Sequence, residues 1–500
     1  MDESRSPCSP FLEVIETDRE GYLHLAMEMS ETGGRLVSVW GFFSESLSLL
    51  FSSYFRGERL FTGRLSLSGK ISDLPSITPF FPVASRMERS IRDLWGISFS
   101  GAQDHRRWLD HGLWERVPLT QKAQPETFGE GDYPFVRVEG MGVHEIPVGP
   151  VHAGMIEPGH FRFQVVGEKV LRMEERLGYS HRGIDGLSRN IPWNRGIKLA
   201  GRVSGDTTVG HALAYSLSIE SAIGMEVPKR ARFLRGLLLE RERIANHLGD
   251  LGALANDAGL SFGLSQFLIL KEDLLRQNKS VFGHRLLMDL ISPGGVRKDP
   301  GPLPIAEMSG EASRILQEVE ILEMIFEQHG GLQDRFFGTG TLPPETAQKM
   351  GLCGVVGRAS GQPFDLRRLW KEPPFDETGF TQALETGGDV RARVAVRFFE
   401  VKESLRLVQE ILLKLPSGDV FLEPPSGESG KEGIGLVEGW RGEILCWSRL
   451  EGGDIVAASH FHDPSWILWP ALEMTIPGNL VADFPLINKS FNPSYSGHDL

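Results

Sequence analysis

The sequence predicts an α+β protein with an N-terminal α/β domain followed by a large, mainly α-helical bundle domain that carries small β elements. Three observations lead to this class. The chain has 500 residues, enough for two or more folded units. Short period-two segments and one helical segment precede residue 114. Several long amphipathic patterns, joined by Gly- and Pro-rich loops, follow residue 206.

The N-terminal domain is predicted to span residues 1–114 and to start with a β-hairpin. Residues 23–29 alternate between apolar and polar side chains, and residues 35–41 do so less cleanly. A Gly-Gly pair between the two segments is a turn signal. Residues 86–95 then place apolar side chains at helical spacing, which predicts an amphipathic helix.

The second domain is predicted to span residues 149–500, after a linker at 115–148 that is rich in Pro, Gly and Glu. Apolar residues at 3–4 spacing predict long helices, the second of which starts at Pro228 because proline suits a first helical turn. We expect the two domains to fold separately. The predicted helices cover residues 213–223, 228–248, 266–290, 305–328 and 390–415, and a loop at 416–435 and a small sheet at 435–459 follow.

Composition limits the classes of function. A formal charge of −13 argues against nucleic acid as a partner, and no apolar run reaches the length of about 18–20 residues that spans a bilayer. The acidic start carries no signal segment. Cys8, Cys353 and Cys446 lie too far apart for metal-ligand spacing, so we expect reduced thiols. These features predict a cytoplasmic protein that reaches a membrane only through partners.

Two distant stretches, residues 201–211 and 490–500, carry most of the chemical information. With the stretches at 147–163, 175–185, 357–361 and 438–443, they resemble the large subunit of group 4 energy-converting nickel–iron hydrogenases, of the formate hydrogenlyase type. The related 49-kDa subunit of respiratory complex I is similar too. Residues 80–108, which include Glu88-Arg89 and His105-Arg106-Arg107, resemble the 30-kDa subunit of complex I. The resemblance implies a 30-kDa-type domain fused to a 49-kDa-like domain, with the charged helix at 86–95 docked on a neighbouring subunit.

The resemblance identifies four positions at which the hydrogenases carry nickel-ligand cysteines. They are Ser204, Thr207, Ser494 and Gly497 in this chain. Nickel–iron centres need soft thiolates, whereas hydroxyls are hard donors and glycine has no donor. We therefore expect no bound metal and no hydrogenase activity. We also expect no C-terminal processing of the kind that follows metal insertion in relatives, because the chain ends at Leu500.

The resemblance also implies which residues surround the former metal site. Asp185 stands where relatives have a glutamate linked to proton transfer, and Arg358 and Arg441 belong to stretches that wall the cavity. We expect a polar pocket in which buried charges pair with one another and His211 titrates near neutral pH; the alternative is a collapsed, packed remnant. The expected set comprises Asp185, His211, Arg358 and Arg441 as catalytic residues, and Ser204, Thr207 and the tail at 492–498 around them.

The sister branch, complex I, uses the same cavity for quinone, which meets a tyrosine and a histidine there. The tyrosine position is Gly205 in this chain, and the histidine falls near His160, with His152 as a second candidate. Tyrosines at 179, 215 or 495 could replace the missing donor. A quinone-binding remnant cavity with His152, His160, Ser204, Thr207 and Ser494 therefore stays open as an alternative.

Three functions follow from the resemblance. The first is a large subunit of a membrane-associated, hydrogenase-related, complex I-like electron-transfer assembly without a nickel–iron centre. The second is a quinone-reducing subunit of the NADH-quinone oxidoreductase type, and the third is a non-catalytic scaffold. The implied partners are a small iron–sulfur subunit, which would hold the cluster, and membrane-arm subunits that include antiporter-like proteins. The implied location is the inner face of the cell membrane, with no span of its own.

Overall fold

The computed structural model describes residues 12–69, 71–122, 133–152, 156–369 and 374–500. The N-terminal domain contains a four-stranded sheet with strand order β1-β4-β3-β2, in which only β1 and β4 run parallel. Helices α1 and α2 pack against one face of this sheet. The elements of this domain are β1 Leu12–Thr17, α1 Arg19–Glu31, β2 Arg35–Phe43, β3 Ser48–Arg56, β4 Arg59–Leu67, β5 Asp73–Pro75, α2 Ala84–Trp95 and β6 Ser98–Ser100.

The predicted hairpin at 23–29 and 35–41 is wrong in its first half. Residues 23–29 lie within helix α1, and β2 pairs with β3 instead. Asp18 caps the helix by accepting a hydrogen bond from the Gly21 backbone N–H at 2.7 Å. Tyr22, Leu25 and Met29 are buried at 3–4 spacing, and this helical period overrides the short period-two pattern.

Helix α2 forms where residues 86–95 predict it, but its charged face is used inside the chain. Glu88 and Arg89 are buried, and Arg89 donates to the backbone carbonyl of Arg106 at 2.7 Å. Arg86 forms an ion pair with Glu175 of the second domain. Glu88 and Arg89, two of the residues expected to dock on a neighbouring subunit, are therefore engaged within the chain.

Among the described residues, the second domain combines long helices with three small sheets, of strand order β7-β8-β9, β10-β15-β14-β13 and β11-β12. Within the described ranges, no helix is long and apolar enough to cross a lipid bilayer. Its strands are β7 Val143–Val148, β8 His160–Val166, β9 Lys169–Arg176, β10 Ile191–Pro192, β11 Ile291–Ser292, β12 Gly295–Val296, β13 Glu432–Glu438, β14 Glu443–Gly452 and β15 Ile455–His462. Its helices are α3 Ile184–Leu187, α4 Trp193–Ala200, α5 Thr208–Ile223, α6 Lys229–Asp257, α7 Ser261–Phe282, α8 Pro302–Gln328, α9 Gly330–Phe336, α10 Pro344–Lys349, α11 Gly354–Ala359, α12 Leu366–Leu369, α13 Phe375–Thr378, α14 Val390–Lys414, α15 Ser465–Thr475, α16 Phe484–Phe491 and α17 Tyr495–Asp499.

The predicted linker at 115–148 is shorter than expected. Its last six residues form β7, which pairs antiparallel with β8 along its whole length. Val136 also donates its backbone N–H to Glu174, at 2.9 Å. Residues 123–132 of the predicted linker lie outside the described residues, as does Cys8, whereas Cys353 and Cys446 are buried free thiols.

The two domains share hydrophobic cores. The second face of the N-terminal sheet packs on β13, β14 and β15, and Trp40 stacks on His460 with ring centroids 5.1 Å apart. Arg35 forms a two-point ion pair with Glu443, whose Nη2–Oε2 distance is 2.6 Å. The sequence boundary near residue 114 therefore does not separate two cores, which argues against separate folding of the domains.

Candidate functional site

The loop between α4 and α5 meets the tail between α16 and α17 inside the second domain. Ser204 Oγ lies 2.9 Å from Ser494 Oγ, although the two residues are 290 positions apart. The hydroxyl of Ser204 donates its one proton to Asp206 Oδ1 at 2.8 Å, so Ser494 is the donor toward Ser204. Ser494 in turn accepts the Gly497 backbone N–H at 2.9 Å. Direct hydrogen bonds thus close the space between loop and tail.

Arg441 clamps this contact. Its guanidinium binds Asp206 at two points, Nη1–Oδ1 at 2.8 Å and Nη2–Oδ2 at 2.6 Å. Its Nε donates to the backbone carbonyl of Asn492 in the tail at 2.6 Å, and it stacks on Trp440 at 3.9 Å from the ring centroid. One side chain therefore holds the loop and the tail together.

Asp206 is the acceptor at the centre of the cluster. Ser204 and Thr207 both donate to its Oδ1, at 2.8 Å and 3.0 Å. Its side chain is 41% exposed, whereas that of Arg441 is 4% exposed. Partial burial opposes ionisation of Asp206, but Arg441 and the two hydroxyls outweigh it and lower the pKa of the carboxyl. Sequence reasoning missed Asp206, although it lies in the same turn as two of the singled-out positions.

His211 binds Asp463, a second residue that the sequence did not reveal. His211 Nε2 lies 2.9 Å from Asp463 Oδ2, and both side chains are fully buried. Burial alone would raise the pKa of Asp463, but His211 and Arg441 lower it to about 2. A Cβ atom on Gly497 would lie 2.7 Å from Asp463 Oδ2 and 3.0 Å from Ser494 Oγ. The carboxylate of Asp463 therefore fills the space beside Gly497.

These residues do not fit a nickel–iron centre. The four positions offer three hard hydroxyls and no thiolate, and the hydroxyls bind one another or Asp206. A cysteine at position 497 would meet Asp463 before it could reach a shared ion. In the part of the chain that the structure describes, no group of three or more His, Cys, Asp or Glu side chains is arranged to hold a metal.

Arg358 lies in a separate buried cluster, so its expected place beside Ser204 and Ser494 is wrong. It pairs with Glu400 at 2.7 Å and with Glu438 at 2.8 Å. Burial opposes its charge, but these acids raise its pKa. Glu400 also accepts from His247, whose ring meets Trp440 edge-on with centroids 6.0 Å apart. The Arg358 cluster thus borders the site through Trp440 without joining it.

Asp185, which was expected beside Ser204 and Ser494, lines a cavity whose lining does not include either serine. It lines a small cavity between the two domains, together with Arg189 and His460. Burial raises the pKa of Asp185 to about 7, and Arg189 only partly offsets that effect. A position in a motif indicates where a residue falls along the chain, but not toward which side of the turn its carboxylate points.

His152 and His160 are not part of the hydroxyl cluster either. His152 Nε2 lies 2.8 Å from the backbone carbonyl of Gly159. His160 lines a different cleft of about 1330 Å³, together with Tyr179 and His181. Of the other two tyrosines considered, Tyr215 is fully buried and Tyr495 packs on Trp469. The histidines and tyrosines that could meet a quinone are therefore divided between separate places.

Comparison with family models shows to which class of protein the chain belongs. Residues 17–128 match the family model described as respiratory-chain NADH dehydrogenase, 30 Kd subunit. Residues 257–499 match that of respiratory-chain NADH dehydrogenase, 49 Kd subunit. The class is therefore a fusion of a 30-kDa-type domain with a 49-kDa-type domain, in agreement with the observed architecture.

The similar curated proteins show to which branch of this class the chain belongs. Formate hydrogenlyase subunit 5 of Escherichia coli (strain K12) is 32% identical over 452 residues, which cover 88% of this chain and 79% of the relative. Hydrogenase-4 component G of the same organism is 32% identical over 441 residues, covering 85% and 76%. The chain belongs to this hydrogenase-related family of fused 30-kDa/49-kDa large subunits. A solved chain of the membrane-bound sulfane sulfur reductase, titled an archaeal respiratory membrane complex, matches with a TM-score of 0.68 and 25% identity, over 72% of this chain and 99% of that chain.

Proposed function

We propose that the chain is the large subunit of a membrane-associated, complex I-like electron-transfer assembly and that it works without a nickel–iron centre. The hydrogen-bonded closure of loop and tail carries this proposal. Ser204 and Ser494 bind each other directly, and Arg441 holds Asp206 beside them. Hard, neutral hydroxyls cannot replace four thiolates as ligands for a redox-active metal. The site would therefore act on electrons and protons delivered by partners.

The proposed partners are a small iron–sulfur subunit and membrane-arm subunits that include antiporter-like proteins. Such an assembly would couple electron flow from the iron–sulfur partner to ion movement, at the cytoplasmic face of the membrane. The names of two relatives denote a subunit of formate hydrogenlyase and a component of hydrogenase-4, and one structural neighbour belongs to a respiratory membrane complex, which supports a multi-subunit assembly.

Purification of the tagged chain from native membranes tests both parts of the proposal. We expect membrane subunits and an iron–sulfur protein to copurify, with cluster signals in electron paramagnetic resonance. We expect no stoichiometric nickel by elemental analysis and no hydrogen evolution, with an intact nickel–iron hydrogenase processed in parallel as the control. Stoichiometric nickel in the chain, or its recovery alone, would contradict the proposal.

Quinone binding in the 1330 Å³ cleft is a second candidate. The cleft brings His160, His181 and Tyr179 together with the aromatic side chains of Trp114 and Phe135. Such a surface offers hydrogen bonds and stacking to a planar head group. Arg162 also lies over the Phe135 ring, at 4.6 Å.

Titration with a short-chain ubiquinone analogue, followed by quenching of tryptophan fluorescence, tests this candidate. We expect His160→Ala and Tyr179→Phe to weaken binding about tenfold each, because each removes a hydrogen-bonding group worth about 1–1.5 kcal/mol. His144→Ala, an exposed histidine outside the cleft, serves as the control. Equal binding in all variants would exclude the cleft as the quinone site.

The contrasting possibility to an electron-transfer role is a non-catalytic scaffold that only joins its partners. His211→Ala and Asp185→Asn in the assembled complex would leave electron transfer and ion movement unchanged if the chain only joins its partners. A drop in either rate would instead assign a chemical role to these groups. Assembly on a native gel separates such a drop from loss of a subunit.

A further inference from the structure

Three side chains with little exposure join helix α2 of the N-terminal domain to the second domain. Arg86 on α2 binds Glu175 on β9 through Nη1, and it pairs with Glu473 on α15 at an Nη2–Oε2 distance of 2.9 Å. The side chain of Glu175 is fully buried, that of Arg86 is 9% exposed and that of Glu473 is 22% exposed. One arginine therefore faces two carboxyl groups across the contact between the domains.

The four oxygens of these two carboxyl groups differ in their partners. Glu473 Oε2 pairs with Arg86, and Glu473 Oε1 accepts the Glu175 backbone N–H at 2.7 Å. Glu175 Oε1 accepts from Arg86, whereas Glu175 Oε2 is buried and has no hydrogen-bond partner among the described residues. An ionised carboxylate with such an oxygen is costly, because nothing replaces the water that it has lost. A proton on Oε2 removes this cost.

A cavity of about 180 Å³ lies beside these three residues, and all three line it. Since one water molecule needs roughly 10–15 Å³ of such space, the cavity has room for several. Trp108 and Arg172 also line it, and in the described part of the chain neither Trp108 Nε1 nor Arg172 Nε has a hydrogen-bond partner. A protonated Glu175 Oε2 can therefore donate to water in this cavity.

We propose that Arg86, Glu175 and Glu473 form a pH-sensitive latch, in which Glu175 carries a proton while the domains are in contact and loosens α2 when it loses that proton. In the protonated latch, Arg86 balances the single negative charge of Glu473. Deprotonation leaves two buried negative charges facing one guanidinium, which favours entry of water and weakens the attachment of α2. This device goes beyond the proposed electron-transfer function and does not depend on it.

The neighbouring charges do not supply a second close cation to Glu175. Arg89 pairs with Asp104 at 3.1 Å. Arg106 pairs with Asp104 at 2.7 Å and also with Glu174, so these charges largely balance one another. The charged and titratable side chains that face the latch are Arg89 on α2, Asp104, Arg106 and Tyr133 in the segments that follow, Arg172 and Glu174 on β9, and His498 and Asp499 on α17.

The direction of the switch follows from the environment of Glu175. Burial raises the pKa of the Glu175 carboxyl, Arg86 only partly offsets that effect, and Glu473 adds to it. The ordinary value is 4.5, so the unfolded chain releases this proton first as the pH rises. The contribution of the latch to stability is therefore complete at acidic pH and falls as the pH rises above about 4.5.

Hydrogen–deuterium exchange of the full chain tests the latch, with peptides from α2 compared at about pH 6 and about pH 8 after correction for intrinsic rates. We expect the protection of α2 to fall several-fold in the parent as the pH rises, while β3 of the same domain stays protected. Glu175→Gln, which imitates the protonated carboxyl, should keep the protection of α2 constant. Glu168→Gln, at an exposed glutamate beside the start of β9, should behave like the parent. Constant protection of α2 in the parent, or an equal fall in Glu175→Gln, would overturn the proposal.

Glu473→Gln provides an independent test, which also decides if Glu175→Gln fails to fold. Removing this second negative charge lets Glu175 ionise beside Arg86 without an excess charge. We therefore expect α2 in Glu473→Gln to lose its dependence on pH between about pH 6 and about pH 8, even if its protection is lower at both values. A fall as large as that of the parent would show that the two carboxyl groups do not share one cation, and would refute the latch.

Discussion

Arg441 is the single side chain that ties the loop at 201–207 to the tail. Replacing it by alanine leaves Asp206 without its cation and removes the bond to the Asn492 carbonyl. Loss of one partner from a fully buried pair costs about 3–5 kcal/mol, and the partial exposure of Asp206 reduces that to about 1–3 kcal/mol. We expect Arg441→Ala to lower the urea midpoint accordingly, with an unchanged slope of unfolding free energy against urea.

Arg202→Ala is the matched control for this prediction. Arg202 also binds an aspartate at two points, Asp289 at 2.8 Å, but both side chains are about 40% exposed. An exposed pair of this kind contributes about 0–1 kcal/mol. Equal losses in the two variants would mean that Arg441 does not clamp the site.

Asp185 should make stability depend on pH. Its pKa is about 7 in the folded chain against 3.8 for an ordinary aspartate, so the unfolded chain loses its proton first as pH rises. The free energy of unfolding therefore falls between about pH 4 and pH 7, and this contribution is constant outside that window. The full shift would be worth about 4 kcal/mol, and partial exposure of the carboxylate reduces it to about 1–3 kcal/mol.

Asp185→Asn removes this dependence. We expect the variant to gain about 1–3 kcal/mol relative to the parent as the pH rises from 4 to 7, measured by urea unfolding at each pH. A stability difference that is the same at pH 4 and pH 7 would show that Asp185 titrates normally.

At the residue scale, the sequence predicted which positions come together better than it predicted which side chains form hydrogen bonds there. Family resemblance singled out Ser204 and Ser494, which contact each other. It did not indicate Asp206 or Asp463, because a carboxylate that binds hydroxyls or a histidine leaves no spacing signal. The cavity that Asp185 lines was not predicted, since the direction of a side chain depends on packing that motif order does not encode.

The short helix α17 depends on the absence of a side chain at its third residue, Gly497. A Cβ there would lie 2.7 Å from Asp463 Oδ2. Asp463 cannot swing away freely, because His211 and the Ser465 backbone N–H hold its two oxygens. We expect Gly497→Ala to destabilise the chain by about 1–3 kcal/mol, the usual cost of overpacking, in thermal or urea unfolding.

Gly205→Ala is the control, because a Cβ at this position in the opposing loop meets nothing within 4 Å. We expect a change below about 0.5 kcal/mol for this variant. If Gly497→Ala is as stable as Gly205→Ala, the carboxylate of Asp463 does not fill the space beside Gly497.

Helices α6 and α14 meet through a buried ladder of charges rather than through apolar side chains alone. Glu400 on α14 accepts from His247 at 2.9 Å and pairs with Arg358, while Asp250 one turn along α6 pairs with Arg397. We expect Glu400→Gln to cost about 3–5 kcal/mol, because Arg358 would keep its buried charge with one partner fewer. Glu410→Gln, farther along α14 in a surface pair with Lys414, should cost about 0–1 kcal/mol. Equal costs in urea unfolding would contradict a structural role for the ladder.

Helices could be predicted where the apolar residues kept one helical spacing over many residues. The apolar stripes of α6, α8 and α14 predicted their helices, and α7 ends at Phe282 because Gly283 adopts a left-handed conformation with φ of 91°. Helix α1 was missed since seven residues can match both periods. The buried ion pairs between α6 and α14 could not be predicted from the sequence, because polar residues at helical spacing are ordinarily interpreted as a solvated face.

The two domains should unfold together, because their cores are continuous. Trp40 belongs to the N-terminal sheet but packs on Trp447 and His460 of the second domain. We expect a single calorimetric transition, which Trp40→Ala shifts as a whole and weakens by about 3–5 kcal/mol. Leu113→Ala, at a side chain that is 64% exposed, should leave the transition in place. Two transitions, of which Trp40→Ala moves only one, would contradict a shared core.

Because β2 packs on β15, its face can be covered only after the ribosome has synthesised the much later strand. Ser38 and His460 are 422 residues apart, so at roughly 5–20 residues per second the partner strand emerges about 20–80 s after β2. During that time Val37, Trp40 and Phe42 have been synthesised, but the strands that cover them in the folded chain have not. Nascent chains should therefore bind holding chaperones through this face, and translation arrested before residue 432 should leave the N-terminal domain prone to aggregation.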